Sequence, residues 1–245
     1  KLLCDARRGF DAKSGVLERG VSSSWALAAW RERLLPRTTS LVMVAAILIT
    51  LVLAYFAGSL PTGYLVARAM RVDITRVGSG NIGATNVFRV LGKGPGSLVL
   101  TVDLLKGAMA VHFAPILASH WSPTDTAALP ALAALGAVLG HNYTCWLGFK
   151  GGKGVATSAG AMAALIPSAF GVTVVTWLVV FFLSRYVSLA SIGSAIILPF
   201  ATAFFVSGPT RWPLVGFTSV LAALAVWRHR ANIERLKAGT EHRFG

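Results

Sequence analysis

The stretch Val155 to Ser184, VATSAGAMAALIPSAFGVTVVTWLVVFFLS, decides how the rest of the chain is read. Its uncharged length exceeds the ~20 residues that one membrane helix needs, yet falls short of two full crossings joined by a turn. Pro167, near the middle, breaks a continuous helix, so the run predicts two short helices of about 12 residues each turning there. At 1.5 Å per residue such an arm rises only about 18 Å, which favours burial against neighbouring helices over exposure to lipid.

Charge on either side of the run tests this reading. Working outward, further apolar stretches are Leu41 to Ala67, Ser97 to Trp121 with only Asp103 and Lys106 inside, Ala127 to Leu147, Val187 to Val206 and Trp212 to Trp227. If Val155 to Ser184 is two helices, the chain crosses seven times, with 14 basic residues from Arg68 to Arg243 on one side and only Arg211 on the other. If it is one span, the division is 9 against 6. The excess of Lys and Arg on cytoplasmic loops selects the first, with the C-terminus in the cytoplasm.

Composition agrees with a membrane protein, being 55% hydrophobic and 13% charged with a mean hydropathy of +0.66. The net charge of +14 would suggest nucleic acid in a soluble chain, but here the basic residues lie between apolar runs, so no nucleic-acid partner is inferred. Cys4 and Cys145 are too few for a disulfide framework, and the separated His and acidic residues predict no metal and no cofactor. Residues 1–40, with eight Lys or Arg and four Asp or Glu and no spanning run, read as a basic, poorly ordered N-terminal extension. Residues 41–245 read as the membrane domain. The expected fold is therefore an all-α polytopic helical bundle, seven membrane helices with two of them short, and active-site loops in the cytoplasm.

Seven crossings put three unusual segments on one face. The first, Gly78-Ser79-Gly80-Asn81-Ile82-Gly83-Ala84-Thr85-Asn86, can turn tightly and aim several N–H groups at an anion, and a helix starting near Thr85 brings Arg89 beside the same pocket. The second, Lys150-Gly151-Gly152-Lys153-Gly154, fails as a P-loop because neither Ser nor Thr follows Lys153 and no strand precedes it. Its small residues around two lysines still suit close approach of a phosphate. The third runs from His229 through Asn232 to Glu241; on a helix continuing from Trp227, His229 and Asn232 share a face, and Gly239 is the stop. Asp103 and Lys106 are three apart and able to pair.

Together with Gly58-Ser59-x-Pro61-x-Gly63, Asp103-x-x-Lys106-Gly107 and Gly140-His141, these motifs resemble, in unbroken order from about Leu41 to the C-terminus, the bacterial acyl-phosphate-dependent glycerol-3-phosphate acyltransferases of the PlsY type. One departure is Thr144, where the family pattern usually carries a proline. The resemblance implies transfer of a fatty acyl group from acyl phosphate to the 1-hydroxyl of glycerol 3-phosphate, giving lysophosphatidate in the bacterial inner membrane. It needs membrane lipid around it and no obligatory protein partner. Ser79, Asn81, Thr85 and Asn86 are assigned to the acyl-phosphate headgroup, and Arg89, Lys153, His229 and Asn232, with Lys150, to glycerol phosphate. His229 or His141 is available as a base, as is a phosphate oxygen of either substrate. Two rivals remain: a transporter of a phosphorylated metabolite, which should bind at mid-membrane between two related halves, and an acyl-CoA or acyl-carrier-protein enzyme, suggested by His120-x4-Asp125.

Overall fold

The computed structural model describes residues 41–121 and 128–244, with backbone alone at residues 114, 115 and 117–121. The N-terminal extension and the His120-x4-Asp125 pattern lie outside the described residues and side chains. Residues Met43–Gly245 form one compact unit. Its described elements are helical: α1 (residues 41–59), α2 (Thr62–Ala69), α3 (Ala84–Leu91), α4 (Lys93–Trp121), α5 (Leu129–Asn142), a single 3-10 turn at Cys145–Leu147, α6 (Val155–Leu165), α7 (Pro167–Ser184), α8 (Val187–Phe205), α9 (Arg211–Arg228) and α10 (Arg230–Lys237). Among the described residues four stretches are long and apolar enough to cross a membrane: Leu41–Ala69, Lys93–Phe113, Pro167–Ser184 and Val187–Phe205.

The deciding stretch breaks at Ile166 and Pro167, as its proline requires, but the two arms are unequal. The helix α6 has 11 residues and α7 has 18. The expectation that both arms are short and buried holds for α6 alone. Only 6% of the α7 window is buried, and Val175, Val179, Phe182 and Leu183 stand exposed on it, an outward face suited to lipid. The stretch from Leu41, one candidate membrane span as far as Ala69, is interrupted at Leu60 and Pro61. Pro61 has no N–H and disfavours helical geometry in the residue before it, so α1 ends at Ser59 and α2 starts at Thr62.

Two glycine contacts set the close crossings. In α5, Gly136 and Gly140 lie four apart; a Cβ on Gly140 would come within 2.1 Å of Tyr55 O of α1, and one on Gly58 within 2.0 Å of Ala137 O. Between α4 and α6 the pair is reciprocal, Gly107 against Thr157 O at 2.0 Å and Gly160 against Leu104 O at 1.9 Å. Without side chains at these points the helix backbones meet directly, the small-residue packing that membrane helices use where lipid removes the hydrophobic drive. The short α6 is thereby fixed against α4, and the loop before it is fixed as well.

Within this core Asp103 and Lys106 are paired, Nζ to Oδ1 at 2.8 Å and both buried. Lys106 Nζ also donates to Leu60 O at 3.0 Å, a carbonyl at the break before α2 that accepts the Thr62 N–H as well, and His141 Nδ1 lies 3.7 Å from Asp103 Oδ1. The pair is an internal strut, which is how a membrane interior tolerates ionisable groups.

Candidate active site

The segment before α3 is shaped by one side chain. Asn86 is 2% exposed; its Oδ1 accepts the Ser79 N–H at 2.9 Å and its Nδ2 donates to Val77 O at 3.1 Å and Ile74 O at 3.4 Å. Gly78 passes so close, at φ +62°, that a Cβ there would sit 2.3 Å from Asn86 Oδ1, so neither the conformation nor the space admits another residue. Asn81 Oδ1 accepts the Gly83 N–H at 2.9 Å, turning the chain into α3. Asn86 and Val87 N–H both bond to Gly83 O, which leaves the Ala84 and Thr85 amides free of a carbonyl partner among the described residues. They point out of the helix N-terminus, where an anion is favoured. The polar capacity of Asn86 is therefore spent on the loop, and the groups left for a ligand are the Ser79 and Thr85 hydroxyls, the Asn81 side-chain nitrogen, these amides and Arg89, whose Nε is buried without a partner.

The glycines of the second segment serve a different purpose from the one expected. Gly151 and Gly152 donate their N–H groups to Asn142 O at 3.2 Å and His141 O at 3.0 Å, the carbonyls at the end of α5. A Cβ on Gly151 would lie 2.1 Å from His141 O, one on Gly152 2.1 Å from His141 Nε2, and one on Gly154 2.6 Å from Asn142 Oδ1. The loop is thus laid flat on α5, with two of its amides already used, and is not a phosphate-cradling nest. Arg228 clamps it from the other side, Nη2 to Gly152 O at 2.6 Å and to Gly151 O at 3.0 Å, while its guanidinium lies over the Tyr143 ring. What the loop presents is Lys153. Lys150 is exposed and does not line the cavity described below.

Lys153 Nζ donates to Asn232 Oδ1 at 2.6 Å, Asn232 Nδ2 to Glu241 Oε1 at 2.6 Å, and Arg235 Nε to Glu241 Oε2 at 2.7 Å; Ser188 Oγ also donates to Oε1 at 2.8 Å. The tail that carries Glu241 is tied back to the α7–α8 turn, Phe244 N–H to Arg185 O at 2.8 Å. His229 and Asn232 share a site, but not on a continuous helix: His229 takes φ −98°, ψ 8° between α9 and α10. Its Nδ1 lies 2.8 Å from Ala225 O, so that nitrogen carries the proton and Nε2 keeps its lone pair.

Electrostatics follow from burial. It pushes Lys153 down to about 8, against the pull of Glu241 and with Arg235, Arg89 and Arg228 adding to the fall. Burial, with the Lys153 charge, takes His229 to about 4, which keeps the ring neutral near pH 7. Burial tends to raise the Glu241 carboxyl, but its bonds from Asn232, Arg235 and Ser188 outweigh that and hold it low. Arg89, Lys153 and Arg235 therefore face a single carboxylate, an excess positive charge that suits a phosphate dianion.

These groups meet on one cavity of about 410 Å³. Ser79, Asn81, Thr85, Asn86, Arg89, Lys153, His229 and Asn232 all line it, so the three segments separated in sequence converge. Sequence reading missed Arg235, Glu241 and Ser188 as members. Arg235 lies three residues after Asn232 and Glu241 is the one acid after the Gly239 stop, signals that were available; nothing marks Ser188. Among the described residues no group of three or more His, Cys, Asp or Glu is placed to hold a metal ion.

A family model described as glycerol-3-phosphate acyltransferase matches residues 48–239. The chain is 48% identical to glycerol-3-phosphate acyltransferase 2 of Moorella thermoacetica, over 81% of this chain and 97% of that one. It is 46% identical to the glycerol-3-phosphate acyltransferase of Thermosynechococcus vestitus, over 83% and 98%. Among solved structures it is similar to PlsY, an integral membrane glycerol 3-phosphate acyltransferase. In its glycerol 3-phosphate form the TM-score is 0.72 at 41% identity, covering 81% of this chain and 96% of that one. In its lysophosphatidic acid form the values are 0.70 and 40%, covering 81% and 95%.

Proposed function

The chain belongs to the glycerol-3-phosphate acyltransferase family, the PlsY type, and from that premise we propose that its acyl donor is an acyl phosphate and that the cavity residues named above bind the two phosphates. It is a multi-pass membrane acyltransferase that acylates glycerol 3-phosphate, a step of phospholipid synthesis. The observation that carries the donor reading is the size and make-up of the polar end: a helix N-terminus, two hydroxyls and a cluster of cations on one cavity, with an apolar remainder. Glycerol 3-phosphate and an acyl phosphate each present a phosphate group to such an end, and a fatty chain fits the apolar remainder.

In this reading the donor phosphate sits at the α3 N-terminus, bonded by Ser79, Thr85, Asn81 and the Ala84 and Thr85 amides. Asn86 acts through the loop it holds. The glycerol phosphate lies against Arg89, Lys153 and Arg235, with Asn232 and Glu241 fixing the two latter cations. The 1-hydroxyl oxygen attacks the acyl carbonyl carbon, an ester C–O bond forms, the C–O bond to phosphate breaks, and the departing phosphate takes the hydroxyl proton. A histidine held near 4 is a weak base, so His229 serves through Nε2 as an acceptor that orients the hydroxyl, and a phosphate oxygen is the proton acceptor. An acyl phosphate is already activated, so positioning two anions in register supplies most of what catalysis needs. His141 also lines the cavity, but Gly152 is packed against its Nε2 and its Nδ1 lies 3.7 Å from Asp103 Oδ1, so the ring is held in the wall.

We further assign seven crossings, membership of the bacterial inner membrane, a cytoplasmic C-terminus and a catalytic unit of residues 41–245. The test of the donor uses purified protein with glycerol 3-phosphate and, separately, acyl phosphate, acyl-CoA and acyl carrier protein. Lysophosphatidate is expected from acyl phosphate alone; robust product from acyl-CoA with none from acyl phosphate overturns the reading.

A further inference from the structure

The cavity has two chemically different ends. Its cytoplasmic end carries the cations and hydroxyls described above. Its inner end is lined by Met162 of α6, Phe170 of α7, Leu198 of α8 and Leu221 of α9. Met162, Leu198 and Leu221 are buried members of one core cluster, and Phe170 packs against it, so the cavity stops on the packed interior of the protein and does not run on through it.

The α8 wall between the two ends is built for an apolar occupant. It presents Ser191, Ser194 and Ala195, all small. The serine hydroxyls are turned away: Ser191 Oγ donates to Val187 O at 2.8 Å and accepts the Trp177 N–H at 3.2 Å, and Ser194 Oγ donates to Thr173 O at 3.0 Å. The wall therefore offers a channel without free donor hydrogens. Along α8 the lining runs from Val187, beside the Ser188–Glu241 contact, to Leu198, eleven residues or about 17 Å at the helical rise. Half of a hydrocarbon core ~30 Å thick is about 15 Å, the length that one lipid chain fills. The floor lies where an ordinary membrane acyl chain would end.

We propose that this floor, formed by Met162, Phe170, Leu198 and Leu221, measures the acyl chain and sets the upper length that the enzyme transfers. The inference rests on reading the site as one for fatty acyl transfer and adds the residues that decide which chains pass. A chain longer than the channel must bend at the floor or lift its headgroup away from α3, which lowers turnover. A shorter chain leaves apolar surface uncovered and binds less tightly.

The experiment is a competition. The full chain in detergent receives glycerol 3-phosphate with an equimolar series of saturated acyl donors of graded length, and mass spectrometry reads the chain distribution of the lysophosphatidate. Phe170→Ala and Leu198→Ala deepen the floor and should move the maximum to longer chains. Ala195→Phe narrows the channel above the floor and should move it to shorter ones. A change of about tenfold in the long-to-short product ratio is expected, the discrimination that a methylene or two gives in an apolar pocket. The ratio is taken within each variant, so a loss of folded protein does not move it; if Leu198→Ala fails to fold, the other two decide. An unchanged distribution in folded Phe170→Ala and Ala195→Phe overturns the proposal. Running the series as acyl phosphates and again as acyl thioesters separates the two readings. A shifted profile seen only with thioesters keeps the floor and removes the acyl-phosphate donor; turnover of acyl phosphates with an unshifted profile does the reverse.

Discussion

Lys153 should give the reaction its alkaline limit. Burial holds its ammonium near 8, well below an exposed lysine, and among the described residues the hydrogen-bond partner of Nζ is the neutral Asn232 Oδ1 at 2.6 Å. The sign follows directly: below 8 the group is charged and attracts the substrate phosphate, and above 8 it is neutral and does not. At pH 9 about a tenth of the free enzyme remains protonated, so kcat/KM for glycerol 3-phosphate should fall about tenfold per unit beyond 8. Bound substrate returns a counter-charge to the lysine, so the limb in kcat should lie higher than the limb in kcat/KM. A phosphate monoester gains its second charge near ~6, which sets the acid limb and leaves a bell-shaped profile between. The assay is initial-rate formation of lysophosphatidate at subsaturating glycerol 3-phosphate across that range, repeated on Lys153→Arg. The arginine stays charged, so its alkaline limb should vanish even if the fork fits poorly and lowers the rate throughout. A profile flat well above pH 8 in the native enzyme, or the same limb in Lys153→Arg, refutes the role given to this residue.

Asn86→Ala should lower the Tm of the substrate-free protein as well as weaken donor use, because it leaves a buried N–H and carbonyls unpaired, about 1 to 3 kcal/mol; an unchanged apo Tm would make Asn86 a ligand and not a support. Gly152→Ala should raise KM for glycerol 3-phosphate and destabilise by about 1 to 3 kcal/mol, since its Cβ meets the buried His141 ring and displaces Lys153. Gly171→Ala, inside α7 with open space around it, should instead be neutral or stabilising by up to about 1 kcal/mol, measured by thermal unfolding. Thr144→Pro should fold and turn over, because Thr144 already has φ −64°, the angle a proline ring imposes; its loss is the hydroxyl bond to Ser59 O, about 1 kcal/mol in the same unfolding assay.

How far the sequence could be read depended on the range of the interaction that each residue makes. Pro167 and Pro61 act on their own backbone, so their effects are local. The first was read correctly as a break; the second was hidden by an uninterrupted apolar run that satisfied the length rule for a single span. The lengths of α6 and α7 depend on their neighbours. Gly160 allows α6 to lie on α4 and be buried while short, and α7 has no such contact and extends to 18 residues against lipid.

The same distinction separates the site residues. Gly78, Asn81, Thr85 and Arg89 were legible because a tight turn leading into a helix N-terminus is a local construction with a known affinity for anions. Asn86 and the glycines at 151, 152 and 154 look equally suited to a phosphate in one dimension, since an amide or a bare backbone has the same chemistry whatever it faces. What it faces is fixed from a distance. Val87 and Ile74 are fully buried in one cluster, which turns α3 so that the Asn86 amide, though at the cavity wall, is bonded under the loop, while Thr85, one residue earlier and about 100° around the helix, keeps its hydroxyl for the cavity. Likewise His141 and Asn142 at the end of α5, with Arg228 from α9, convert the glycine loop from a cradle into a strap that delivers one lysine. Donor groups that the fold has already satisfied are unavailable to substrate, so counting the hydrogen bonds each one makes separates ligands from supports where motif spacing cannot.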